Sequence, residues 1–303
     1  MRRNLGKVLA LALLLMACGP TRRDPDSGPD GGGGGGGDGG NGGDDDGPPA
    51  GDGCPDEAKL IYAVDQNRKL LQFNPMTKTF NDLGTLPCQP SSSATPFSMG
   101  IARDATAWVL YNNGELFRVE TKNNLACTKS AWVPNTNGLK VFGMGFSTDQ
   151  VGGQADSLFI AGGSGPSTGG SSTLARVNLT TFQATNVRTV AGWPELTGTG
   201  NAELWGFFPQ TTTMSARIGK LDKTTGSEVQ MFPETVLNDS SQPSAWAFAF
   251  HGGSFWVFLQ KSNEQQTYVY QFSTATGAMV GKTDSGGRKI VGAGVSTCAP
   301  IIL

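Results

Sequence analysis

The sequence predicts an all-β fold, a five-bladed β-propeller closed by a C-terminal strand, behind a signal peptide and a disordered Gly/Asp-rich tether. Three observations predict it. A strand–turn unit recurs five times at steps of 46, 58, 44 and 51 residues, the span of a four-stranded blade with insertions. The first unit lacks the Gly- or Ala-rich strand that precedes the other four, while one strand of that type is left over at residues 290–297. Composition also changes abruptly near residue 53. The 303-residue chain therefore divides into residues 1–17, 18–53 and 54–303.

Residues 1–17 read as an export signal. Arg2, Arg3 and Lys7 form a basic start and residues 8–15 an apolar run too short to span a bilayer as a helix. Leu15-Met16-Ala17-Cys18 follows and resembles a bacterial lipobox. The resemblance implies a lipoprotein signal peptide cut before Cys18, with Cys18 as the lipid anchor. Gly19 stands where the inner-membrane retention signal would place an Asp, so the resemblance implies an outer-membrane lipoprotein of the cell envelope, open to surface exposure. Residues 18–53 hold a glycine run, then Asp38, Asp44, Asp45 and Asp46. Such a segment has no apolar surface to bury and is expected to stay disordered. As a flexible coil it would reach about 30–35 Å. The aspartates lack the alternating spacing of a calcium loop.

Residues 1–53 carry five basic and eight acidic groups, which leaves 18 basic and 17 acidic for residues 54–303. A nearly neutral domain without a basic patch gives nucleic acid nothing to hold. Nothing in the sequence calls for a cofactor, and the folded part reads as a monomeric domain.

The repeat appears as Leu70-Leu71-Gln72-Phe73-Asn74-Pro75-Met76-Thr77, then around Glu120, Asn178, Asp222 and Ser273. Each unit is a short strand, a residue suited to a turn, and a threonine within a few places. Upstream of each lies a β-branched and aromatic run containing Tyr62, Trp108, Phe159, Trp205 or Trp256, as a buried strand should. Further upstream stand the small-residue strands 98–102, 143–147, 196–200 and 246–250, expected innermost, where blades crowd the axis. Placing residues 290–297 beside residues 59–64 completes the first blade and leaves only short, protected strand edges.

Five cysteines are present. With Cys18 lipidated, Cys54, Cys88, Cys127 and Cys298 form an even set in an oxidising compartment. Cys54 and Cys298 flank the two strands that would meet in blade one, so a disulfide there would lock the ring across its break. Cys88 and Cys127 then pair by elimination, although strand placement does not force them together. Three connectivities exist for four cysteines.

Chemistry-bearing residues are few. His251 is the only histidine, in a His251-Gly252-Gly253 turn expected to be exposed, which leaves little for a zinc site or a catalytic triad. Asp65, Asp104, Asp149 and Glu203 stand at strand ends. Glycoside hydrolysis needs two carboxylates across the scissile bond, but Asp104 and Asp149 follow the inner strand at equivalent places, as turn-forming residues do. The second-strand aromatics read as blade packing, while Trp193, on a passage between blades, is a candidate exposed binding residue. The longer connections, near residues 83–97, 162–173, 209–215, 233–244 and 260–267, fall on one face of the ring. A ligand is expected there, over the channel mouth.

Ile61-Tyr62-Ala63-Val64-Asp65 followed by Leu70 to Thr77 resembles repeats of secreted bacterial propellers of the YVTN or NHL-like kind. Together with the lipobox and tether, the chain resembles the surface lipoproteins of myxobacteria. The resemblance implies scaffold and address and brings no catalytic residues. The expectation is a non-enzymatic, lipid-anchored binding module for a protein or glycan. The alternatives are a carbohydrate-active enzyme with axial carboxylates and a structural envelope lipoprotein.

Overall fold

The structure is a computed structural model that describes residues 53–165 and 170–302; the signal segment, Cys18 and nearly all of the tether lie outside them. Twenty strands form five four-stranded antiparallel sheets. Blade one holds β1 (Ile61–Asp65), β2 (Lys69–Asn74) and β3 (Thr79–Thr85), and blade two β4 (Pro96–Ile101), β5 (Thr106–Tyr111), β6 (Leu116–Glu120) and β7 (Ala126–Lys129). Blade three is β8 (Val141–Thr148), β9 (Asp156–Gly163), β10 (Ser171–Val177) and β11 (Ala184–Ala191). Blade four is β12 (Glu195–Gly198), β13 (Leu204–Phe208), β14 (Arg217–Leu221) and β15 (Glu228–Pro233), and blade five β16 (Pro243–His251), β17 (Ser254–Lys261), β18 (Tyr268–Ser273) and β19 (Met279–Asp284). The last strand, β20 (Ile290–Gly294), returns to blade one as its inner strand, with Tyr62 opposite Gly294 and Val64 opposite Gly292. The protein is a five-bladed β-propeller, closed by its C-terminal strand.

The turns explain why the repeat recurs. Asn74 accepts the backbone N–H groups of Met76 and Thr77, Asn178 those of Thr180 and Thr181, and Asp222 those of Thr224 and Thr225. Each is a side chain imitating a turn carbonyl. Ser273 does the same for Ala275.

Burial falls from the axis outward. Every residue of β1, β5, β13 and β17 is buried, whereas the outer strands β3, β7, β15 and β19 have none. The core is not one mass but five wedges, one between each pair of neighbouring blades. Each wedge receives a large second-strand aromatic at one recurring position: Tyr62, Trp108, Phe159, Trp205 or Trp256. Across the sheet these face Gly294, Gly100, Gly145, Thr197 and Ala249 of the inner strands. A bulky residue on the second strand thus sits opposite a small one on the first, and the blades close around the axis. Two glycines show how tightly: a Cβ on Gly143 would lie 2.3 Å from the Pro194 carbonyl oxygen, and one on Gly198 2.1 Å from that of Phe146.

Candidate binding site at the axis

The two ends of the ring are built differently. At one end the inner strands turn into the second strands, and here the segment after β20 crosses the axis. Ser296 donates to the Ala58 carbonyl of blade one, and Thr297 Oγ1 donates to Asp156 of blade three at 2.6 Å. Gly252 N–H of blade five reaches the Pro300 carbonyl at 2.7 Å. A Cβ on Gly200 of blade four would meet the Thr297 carbonyl at 2.9 Å, and Cys298 Sγ lies 3.9 Å from the Arg103 carbonyl of blade two. All five blades touch this one strap. A disulfide joins Cys54 to Cys298, with 5.8 Å between Cα atoms, and fastens both chain segments of blade one at this end. A second joins Cys88 to Cys127, 5.1 Å between Cα atoms. The loop after β3 bends across to the outer strand of blade two, where Leu86, Cys88 and Leu125 share one apolar wedge. That lateral reach of the loop brings the second pair together.

The residues singled out from sequence do not gather into one centre. Asp104, Asp149 and Glu203 lie at the strapped end, each engaged by its own blade. Asp104 accepts from Thr106 N–H. Asp149 takes the Ser157 hydroxyl and the Arg176 guanidinium rather than a turn amide. Glu203 accepts from Trp205 Nε1 at 3.1 Å and Lys220 Nζ at 2.5 Å. Asp65 lies at the opposite end and accepts the N–H groups of Asn67 and Lys69. Two expectations need correction. His251 is buried, not exposed, because its Nε2 sits 3.0 Å from the Lys59 carbonyl under the strap, and burial lowers its pKa. Trp193 is buried too, because Gly163 offers it a flat place: a Cβ there would stand 3.2 Å from the indole.

At the other end the long loops surround an open mouth. A cavity of about 140 Å³ lies among the starts of the inner strands, lined by Val291 of blade one, Phe97 of blade two, Glu195 of blade four and Trp246 of blade five. Phe97, Trp246 and Val291 are half-buried, while Glu195 is buried. Glu195 occupies an inner-strand position held in the other blades by Gly292, Ser98, Gly143 and Ala247, as the strand registers show. Four small residues and one glutamate share that ring. The bare backbone of Gly143 leaves room for the glutamate, whose carboxyl carbon would lie 3.1 Å from a Cβ there. Beyond it, Ser98 donates its hydroxyl to Glu195 Oε2 at 2.9 Å, and the Met144 N–H also donates. Burial raises the Glu195 pKa well above the usual carboxylate range, and these two bonds offset it only in part. With no positive charge among its contacts in the described residues, burial favours the neutral acid over the carboxylate.

The small-residue pattern held the signal for Glu195. The sequence pairs Leu196-Thr197-Gly198-Thr199-Gly200 with the other inner strands through its glycines, but the true register starts one residue earlier, at Glu195. A further hollow, about 540 Å³ beside Asp156, Arg176 and Thr185, lies at the strapped end. Its charges are already engaged, Arg176 by Asp149 and Asp156 by Thr297 and Arg103.

Two further carboxylates mark the rim of the open end. Burial pushes Glu115 up, but Lys129, Asn113 and the N–H and hydroxyl of Ser91 together hold its pKa down, to about 2. Ser91 N–H and Oγ stand 2.7 and 2.8 Å away, and Asn113 at 2.9 Å. Glu234 is buried with no partner for its Oε1, and burial raises its pKa to about 7. Among the described residues no group of three or more His, Cys, Asp or Glu is placed to hold a metal ion, and no helix is long and apolar enough to cross a membrane.

No family model matches the chain and no curated protein matches it. Solved structures with a similar fold include hydrazine synthase of Kuenenia stuttgartiensis, at 13% identity and TM-score 0.41, covering 65% of this chain and 51% of that one. The chain thus spans about half the length of that match. A chain of the mitotic checkpoint complex matches at 10% identity and TM-score 0.39, covering 79% of each. The Cps50 (Swd1) β-propeller domain of Myceliophteria thermophila matches at 11% identity and TM-score 0.39, covering 77% and 71%.

Proposed function

We propose that the protein is an exported lipoprotein whose propeller, residues 54–303, is a binding module for a protein or glycan outside the cytoplasm. Residues 1–17 direct export, Cys18 carries the lipid, and the tether to residue 53 holds the ring away from the outer-membrane surface. The disulfides support an oxidising compartment. The observation that carries the binding role is the difference between the ring's two mouths: one is strapped shut by residues 295–302, and the other keeps a lined pit amid long loops. Among the described residues that pit has one ionisable lining residue, whereas a glycoside hydrolase needs two carboxylates, so binding is favoured over turnover.

Two measurements test this. Labelled palmitate fed to cells should enter the wild-type chain and not Cys18→Ala, which should leave the membrane fraction; labelling of both removes the anchor. The full chain should then retain a specific ligand on a glycan array or in cross-linking to envelope proteins, and lose it when residues lining the open mouth, such as Phe97, are changed. A chain silent in both assays is a structural envelope protein instead.

A further inference from the structure

We infer that the axial pit is a receptor for a compact organic cation, an alkylammonium head group, held between Phe97 and Trp246 and neutralised by Glu195. This deepens the binding-module reading and rests on it. Three features of the pit converge. Its volume, about 140 Å³, suits one side-chain head rather than a sugar ring or a peptide segment. Two aromatic side chains, drawn from blades two and five, line its wall, and the faces of such rings attract ammonium groups, most strongly where water is excluded. The third feature is a carboxyl at a ring position where every other blade has Gly, Ser or Ala. Packing needs no glutamate there, and a glycine must be spared in blade three to admit it.

The electrostatics fit the same occupant. Glu195 is opposed in its sheet by Phe207 and bonded by Ser98 of β4 and the Met144 amide of β8. The side chains that line the pit from β4, β16 and β20 carry no charge. No charged group among the described residues contributes to its raised pKa, which comes from burial. An uncompensated acid in such a place stays protonated. An entering ammonium supplies the missing positive charge: Glu195 releases its proton to solvent, and the cation takes the proton's place as counter-charge. Neutral ligands gain nothing from that exchange.

Binding should therefore depend on pH in a stated direction. Between the pKa of Glu195 in the cation complex and its pKa in the free protein, each unit of rising pH should tighten cation binding about tenfold; above the latter the affinity should level off. The test is calorimetry on the full chain in detergent micelles, with tetramethylammonium and n-butylammonium as probes and tert-butanol and n-butanol as neutral counterparts. Both cations should bind at least tenfold more tightly than the alcohols at the upper plateau. Preference for tetramethylammonium assigns a quaternary head group, and preference for n-butylammonium a lysine-type amine. Glu195→Gln should remove the cation preference and the pH dependence while keeping the wild-type melting temperature. Phe97→Ala, at the half-buried rim, should weaken the cations about tenfold and leave the pH dependence in place. Equal binding of alcohol and cation at every pH, no cation binding at all, or a Glu195→Gln protein that binds cations as the wild type does would each overturn the inference. If the cations fail while the glycan or envelope assay is positive, this inference alone falls.

Discussion

The strapped end and the open end of this ring spend their polar groups in opposite ways. At the strapped end, Thr297, Asp156, Arg103, Ser296 and His251 bind one another or a neighbouring carbonyl, and a disulfide crosses the seam. At the open end the axial carboxyl of Glu195 has, among the described residues, Ser98 and Met144 as partners and no positive charge. Ring closure accounts for the first arrangement, since the chain's two ends of the blade must be fastened. It does not account for the second, in which a buried acid stands without a counter-charge. A buried acid that breaks the pattern of its ring is a place where function is to be sought.

The seam is the harshest place to break this contrast. Cys54→Ser with Cys298→Ser should lower stability by on the order of 5 kcal/mol, since the closed loop spans 244 residues, and Cys88→Ser with Cys127→Ser, spanning 39, by about 3–4 kcal/mol. Guanidinium unfolding of both double mutants measures this. The reverse order would show that the seam is held by β20 pairing rather than by the bond.

Next comes Glu115 on the rim, with a pKa held down to about 2. A depressed carboxylate stabilises the fold above pH 4.5 and loses that contribution as pH falls toward 2, here on the order of 1–2 kcal/mol once screening at the half-exposed Lys129 is allowed for. Glu115→Gln should cost about that much at neutral pH and flatten the acid limb of a stability–pH curve. Glu234 has the opposite sign. Its raised pKa, about 7, means the buried neutral acid contributes fully below pH 4.5 and loses about 3 kcal/mol as pH rises to 7. Glu234→Gln should remove that decline, and a mutant that retains it would assign the slope elsewhere.

The smallest stability effect is expected at the axis. Burial favours the neutral form of Glu195, so Glu195→Gln replaces an acid with an amide of like shape and should change thermal stability by less than about 1 kcal/mol. A large loss would mean that Glu195 is ionised and paired, like Glu115, and would erase the difference between rim and axis.

The architecture was legible in the sequence because its causes are local and repeated. An Asn or Asp that accepts the N–H groups two and three residues on, at Asn74, Asn178 and Asp222, marks three of the five blades, and the surplus Gly-Ala-Gly strand finds its vacancy beside β1. The axial site was less legible. Gly198 and Gly200 imitate the inner-strand glycines, so aligning on them slips the register by one residue and turns Glu195 out of the ring, as any one-residue slip does in a strand. His251 and Trp193 were misplaced for a different reason. Their burial depends on groups far away in sequence, the Lys59 carbonyl and the flat backbone of Gly163, which no local pattern announces. The strap across the axis likewise follows from where five separate blades end.

The most direct test is the titration of one carboxyl. With glutamate labelled by ¹³C at Cδ and the signal assigned through Glu195→Gln, the Glu195 carboxyl of the ligand-free protein should remain protonated well above pH 4.5 and shift downward on adding tetramethylammonium. A resonance that titrates in the ordinary carboxylate range, unmoved by the cation, would contradict the account of the open end.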